Sequence, residues 1–215
     1  AARAVRRLAR EHGIEGVHGM LVELVTCDPK FYTAVEVSAS NQLFNIVVDS
    51  DATAARLVRL LQGEGGGRAT FMPLQQLRVG GDPPQMANLQ DAVPLISRLR
   101  YDVRFESAVR QVFRKVLVCR NLTVASRHAK AHDLDCVTLE GDTVSRHGAL
   151  TGGFHDLSKS AMDAQAKLAA LEGQGKSAAE EAAAVQSEVL ALDQTVAALL
   201  GSVQKAEAAG GTEAR

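Results

Sequence analysis

Two hydrophobic periods divide the chain. Up to about residue 156, short apolar runs alternate with stretches of helical spacing, the mark of strands and helices in turn. Ala1 to Glu11 predicts a helix with Val5 and Leu8 as its sizeable apolar residues, stopped by Gly13 and Gly16. Gly19 to Val25 alternates and turns apolar, which predicts a strand ended by Asp28-Pro29. Phe31 to Ala39 predicts a helix, and Leu43 to Val48 a largely β-branched strand. Asp49-Ser50-Asp51 supplies N-cap candidates for a helix over Ala52 to Gln62, with Ala54, Leu57, Val58 and Leu61 at helical spacing. Gly63 to Gly67 closes it, and Ala69 to Pro73 predicts a short strand. The first half therefore reads β-α-β-α-β.

Gln75 to Pro94 carries three of the five prolines and a Gly-Gly, and predicts a connection between two lobes. A second α/β half follows. Phe105 to Phe113 predicts a helix, Val116 to Cys119 a strand, Thr123 to His132 a helix and Cys136 to Leu139 another strand. Glu140-Gly141-Asp142 predicts a turn, returning through Thr143-Val144-Ser145. Beyond Gly153 the period changes to steps of four and three. From Leu157 to Val203, thirteen of fourteen such positions are apolar, which predicts a coiled-coil helix. Gly173 and Gly175 each cost about 1 kcal/mol relative to Ala in a helix, so a local break is expected there.

Between the two periods lies His147-Gly148-Ala149-Leu150-Thr151-Gly152-Gly153. Glycine weakens a strand interior and marks bends or close backbone approach. A glycine-rich strand at the end of a domain is a candidate edge, open to pairing with a second chain, while the same composition also suits a plain loop into a helix.

Composition narrows the function. Aromatics are 4% and Trp is absent, so the core is aliphatic. Net charge is -1, which excludes a uniformly basic nucleic-acid binder but leaves room for a local basic face. From Arg98 to Lys130, nine Lys/Arg stand against Asp102 and Glu106. Arg98, Arg100, Arg110, Arg114, Lys115 and Arg120 are the candidates for sequence-independent DNA contact. Cys27, Cys119 and Cys136 form no CxxC pair, and the latter two sit in apolar runs, as buried thiols of a reducing compartment would. No apolar run reaches the roughly 18 residues of a spanning helix. Gly175-Lys176-Ser177 imitates the tail of a phosphate-binding loop, but Ala170 stands where that motif needs glycine. His128 and His132 have zinc-clamp spacing without paired cysteines, which favours ordinary surface histidines. No arrangement of Ser, Cys, His and Asp marks a nucleophile. The sequence therefore predicts neither an enzyme, nor a cofactor, nor a metal site.

Taken together, these stretches resemble the hinge domain of the SMC (structural maintenance of chromosomes) family. The resemblance rests on Gly16-Val17-His18-Gly19-Met20-Leu21-Val22-Glu23-Leu24-Val25, Tyr32-Thr33-Ala34-Val35-Glu36-Val37, Asn45-Ile46-Val47-Val48-Asp49 and Phe71-Met72-Pro73-Leu74. It continues through Thr138-Leu139-Glu140-Gly141-Asp142 into Gly148-Ala149-Leu150-Thr151-Gly152-Gly153. Asp91 to Tyr101 looks most like the family's cohesin branch conventionally numbered three. The resemblance implies an α/β (α+β) fold of two lobes with flanking antiparallel coiled-coil helices. Residues 1–12 would end the outgoing helix and 13–156 form the hinge, with lobe one at about 16–76, a connector at 77–95 and lobe two at 96–153. Residues 157–208 would begin the returning helix and 209–215 form a flexible tail, so the chain would be part of something longer. It also implies pairing through edge strands with the hinge of a different cohesin SMC subunit, with Gly148, Ala149, Leu150, Thr151, Gly152 and Gly153 at one contact. Many family members carry two adjacent glycines where this chain has His147-Gly148. The expected partners are that second hinge and DNA, with no membrane, no small-molecule substrate and no cofactor, in the nucleus on chromosomes. Eleven outgoing residues cannot cover the heptads, so the stripe beyond about Ala178 would pair between molecules or fray.

Overall fold

The computed structural model describes residues 2–78, 89, 91–153 and 155–210, and the backbone alone at Leu157 and 207–210. Pro83, Pro84 and Gly80-Gly81 of the expected connector, and the tail 211–215, lie outside the described residues. Lobe one begins with helix α1 (Ala2–Glu11), strand β1 (Val17–Met20), a single helical turn α2 (Leu21–Leu24) and strand β2 (Val25–Cys27). Helix α3 (Tyr32–Ala39), strand β3 (Ile46–Val48), helix α4 (Asp51–Gly63) and strand β4 (Phe71–Pro73) complete it. Its sheet has the order β1-β3-β4, with β1 antiparallel and β4 parallel to β3. Ser50 caps α4 by accepting from the Thr53 N–H at 3.1 Å. Ala54, Leu57 and Leu61 of α4 pack with Ile46 and Val48 against Val5 and Leu8 of α1, while Val58 stays on the rim. The two large apolar residues of α1 are thus buried within this lobe.

Two expectations for lobe one need correction. The strand expected over Gly19 to Val25 is broken by α2. Leu21, Val22 and Val25 are all buried, at steps of one and three that suit a helical turn and not an alternating strand. The Glu23 carboxylate accepts from the Met20 N–H at 2.8 Å and holds that turn's start. The strand expected from Leu43 starts only at Ile46, because Ser40–Phe44 coils into a 3-10 turn that leaves Phe44 exposed.

Lobe two contains strands β5 (Ala92–Pro94) and β6 (Leu99–Tyr101), helix α5 (Glu106–Phe113), strand β7 (Val116–Cys119) and helix α6 (Leu122–His132). Strands β8 (Asp135–Thr138), β9 (Thr143–Val144) and β10 (Leu150–Thr151) close it. The sheet order is β10-β9-β8-β7-β5, in which only β7 and β8 run parallel, with α6 as their crossover. Every residue of β7 is buried, as a central strand covered on both faces requires. The end of the expected connector is therefore a strand: β5 pairs with β7, and Pro94 sits on the sheet's edge, where a missing N–H is tolerated. His128 is buried too, contrary to the surface position expected for it, because Val124, Ala125, His128 and Ala129 share the face of α6 turned to the sheet. Its ring stacks on that of His132 with centroids 5.6 Å apart.

The lobes are fused. β2 and β6 form an antiparallel pair, with Val25 opposite Tyr101 and Cys27 opposite Leu99. One core contains Leu21, Val35 and Leu43 of lobe one with Leu95, Val109, Phe113 and Val118 of lobe two. After residue 153 the chain crosses to lobe one, where the Glu36 carboxylate accepts from Ser160 Oγ at 2.6 Å and the Met162 N–H at 2.8 Å. Met162 is buried in the shared core, and Ser160 Oγ accepts from the Asp163 N–H, fixing the start of helix α7 (Ala161–Gly210).

The chain divides into two units, 1–166 and 167–215. Within α7 the helix runs unbroken through Gly173 and Gly175, against the expected interruption. Extending a formed helix costs little per residue, and the flanking Ala, Leu, Glu, Gln and Lys favour it. Leu168, Leu171, Val185, Val189, Leu192, Val196, Leu199 and Val203 are all exposed along it. No helix among the described residues is long and apolar enough to cross a membrane.

Candidate interaction surface

The glycine stretch forms the outer hairpin of the five-stranded sheet. Leu150 pairs with Val144 and Thr151 with Thr143, so β10 is the terminal strand and its far edge is open. The hairpin closes through the Gly148 N–H donating to the Ser145 carbonyl at 2.8 Å and the Ser145 N–H donating to the Ala149 carbonyl at 2.8 Å. Gly148 has φ +90, a conformation that L side chains rarely adopt. All six residues from Gly148 to Gly153 are exposed, and Leu150 retains 59% of its accessible surface. Such a Leu at an open edge offers both backbone groups and an apolar side chain to a second strand.

The glycines have separate causes. A side chain at Gly152 would collide with Asp142 Oδ1, so this glycine answers to its own chain. Gly153, at φ +143, donates its N–H to the same oxygen at 3.3 Å. Asp142 thus ties the end of β10 to the turn between β8 and β9, a positioning role that the glycine pattern alone does not show. His147, where many family members carry glycine, is exposed and is not among the positive-φ residues, so its side chain fits the hairpin without strain.

The basic residues from Arg98 to Arg120 do not share one face. Arg98 lies in a 3-10 turn and Arg100 on β6, both exposed at the junction of the lobes. Lys115 precedes β7 and Arg120 follows it, which places them roughly 15 Å apart along the strand. Several are ion-paired: Arg110 with Glu106 at 3.1 Å, Lys115 with Asp133 at 3.3 Å and Arg120 with Asp91 at 3.7 Å. Arg110, Arg114 and Lys115 do converge, together with Arg78 and Arg146, on a groove of about 440 Å³ at the starts of β7 and β8. Arg78 and Arg146 fall outside the basic run of the sequence, and only the fold brings them there.

Cys119 and Cys136 are buried neighbours on β7 and β8, and all three cysteines are free. The hydrogen bond to Cys119, then burial, pushes the Cys136 thiol up, and the same bond draws Cys119 down. Among the described residues no group of three His, Cys, Asp or Glu could hold a metal ion.

Comparison with known proteins places this geometry. Residues 14–129, just over half of the chain, match the family model of the SMC proteins' flexible hinge domain. The chain is 50% identical to Structural maintenance of chromosomes protein 3 of Arabidopsis thaliana over 153 residues, which are 71% of this chain and 12% of that protein. It spans under a fifth of the length of the curated relatives it matches. Among solved structures, the folded elbow of cohesin superposes with a TM-score of 0.81 at 33% identity, covering 94% of this chain and 30% of that one. An asymmetric dimer of the Geobacillus stearothermophilus SMC hinge domain gives 0.67 at 28% identity, covering 84% and 77%. The chain belongs to the SMC family, as its flexible hinge domain, the dimerisation module of these proteins.

Proposed function

We propose that this hinge joins one cohesin SMC subunit to a second, different SMC subunit, closing one end of the ring that holds sister chromatids together in the nucleus. The observation that carries the reading is the open edge of β10, with exposed Leu150 beside a hairpin whose bends need glycine at 148 and 153. The identity to a plant SMC subunit numbered three supports the cohesin assignment. The module acts by association and without catalysis. Weak sequence-independent DNA contact through Arg98, Arg100, Arg110, Arg114, Lys115 and Arg120 is secondary, since these residues are dispersed and Arg110, Lys115 and Arg120 are already ion-paired.

Sedimentation equilibrium of the chain, alone and mixed with the hinge of the partner cohesin subunit, tests this. Leu150→Arg is the informative variant, because Leu150 is exposed and Gly152→Glu would also strike Asp142 of its own chain. A 1:1 complex is expected, weakened at least about tenfold by Leu150→Arg, as for a central apolar anchor. No complex with the partner hinge, or a complex indifferent to Leu150→Arg, rejects the assignment of this edge.

A further inference from the structure

The groove at the starts of β7 and β8 has the properties of an anion site. Among the described residues, its charged lining is Arg78, Arg110, Arg114, Lys115 and Arg146 against the carboxylate of Asp135. Asp135 Oδ1 accepts from the backbone N–H of Arg146 at 3.0 Å, which orients that carboxylate toward the main chain. Lys115 and Arg110 have acidic partners, Asp133 and Glu106. Arg78 and Arg146 are within ion-pair distance of no carboxylate among the described residues. Side chains of both lobes line the space, Gln42 and Ser38 from lobe one and Thr143 and Ser145 from lobe two, adding neutral hydrogen-bonding groups.

Shape decides which anion. A volume of about 440 Å³ falls within the roughly 300–1,000 Å³ of small-molecule sites, whereas a nucleic-acid backbone needs an extended track. Guanidinium forks match phosphate oxygens in bidentate pairs, and four of the five cations are arginines. Arg78 and Arg146, with no carboxylate at ion-pair distance among the described residues, stand beside three further cations at one groove, and a multivalent counter-anion relieves the repulsion that remains.

We propose that this groove binds a compact polyphosphate anion, of the size and charge of an inositol polyphosphate, bridging lobe one to the hairpin of lobe two. Arg146 lies within the β9–β10 turn that Ser145 and Ala149 close, so a bound anion would hold that turn. This inference is independent of the dimerisation reading and concerns one chain.

The test is calorimetric titration of the 215-residue chain with myo-inositol hexakisphosphate at fixed ionic strength, beside thermal melts. The variant is Arg78→Gln/Arg146→Gln, which breaks no ion pair with a carboxylate among the described residues. One anion per chain and a raised melting temperature are expected, with at least about tenfold weaker binding in the variant, the loss of charge-assisted hydrogen bonds. Sulfate at matched ionic strength should not reproduce the shift. No binding overturns the proposal, as does binding of equal strength in the variant, which would be condensation on the general surface. A short DNA duplex that displaces the anion and weakens equally in the variant overturns it too, by making the groove part of a nucleic-acid face.

Discussion

Asp142 sits in the turn between β8 and β9, where the Thr138 N–H donates to its carbonyl at 2.8 Å and its own N–H donates to Thr138 Oγ1 at 3.2 Å. The turn fixes the main chain, leaving the carboxylate to receive the Gly153 N–H. Removing it with Asp142→Ala frees the end of β10 and should weaken association with a partner hinge about tenfold, the worth of one hydrogen bond to a charged group. Asp142→Asn keeps an acceptor and should restore most of the affinity; sedimentation of both variants, with melting temperatures as a fold control, reads the difference. A second residue sets a pH limit. Burial, then the Asp28 carboxylate, push the Cys27 thiol up from its ordinary 9.0 to about 11. Burial likewise raises the hydroxyls of Tyr32 and Tyr101. The folded state holds these protons more tightly than the unfolded chain. The stability linked to Cys27 is therefore complete below pH 9 and lost as pH rises toward about 11. Melting temperature should fall over that interval, and fall less in Cys27→Ala. An equal fall in both would remove Cys27 as a cause.

Elements whose signals are local are the ones legible in the sequence. α4 announces itself through the Ser50 cap and its apolar spacing, and β7 through an unbroken apolar run. The glycine stretch by composition suits an edge strand and a plain loop alike, and it is the pairing of Leu150 with Val144 and Thr151 with Thr143 that makes it a strand. What stayed hidden depends on distant partners. α2 is four residues long, and its helical turn is held by Glu23, which also pairs with Arg6 of α1. β5 hides its strand character behind prolines until β7 is there to pair with. The polyanion groove draws Arg78 and Arg146 from beyond the basic run, so no window of sequence contains it. In α7 local propensity misleads in the other direction, since two glycines do not break a helix of 50 residues. A Cβ at Gly173 or Gly175 meets nothing, so Gly173→Ala/Gly175→Ala should raise helical circular dichroism and stabilise α7 by about 1 kcal/mol per site. A loss of helix would show that the glycines accommodate a bend. The root of α7 has a sharper dependence. Glu36→Ala leaves the Ser160 hydroxyl and the Met162 N–H without their acceptor and should cost about 1–3 kcal/mol in urea unfolding.

At the scale of the molecule, the fused core governs how residues 2–166 unfold. A chain read as two lobes on a proline-rich connector would unfold in two steps, each lobe with its own midpoint. The pairing of β2 with β6 and the mixing of Leu21, Val35 and Leu43 with Leu95, Val109 and Phe113 argue for one step. Neither lobe closes this core alone, because removing either exposes the fully buried faces of the other's largest residues. The cysteines report on it without added labels, since Cys27 lies in lobe one and Cys119 and Cys136 in lobe two. Thiol labelling along a urea series should give one midpoint for all three, matching the circular dichroism of the folded unit. Phe113→Ala, which removes a fully buried ring from the junction, should lower that common midpoint by about 3–5 kcal/mol of stability and keep the three thiols together. Lobe-two thiols that label while Cys27 is still protected would mean the lobes open separately. In that case tension along α7, which enters through Glu36 of lobe one, would not reach the β10 edge of lobe two. Coincident labelling means the helix root and the association edge belong to one cooperative body, so a pull on one is felt at the other.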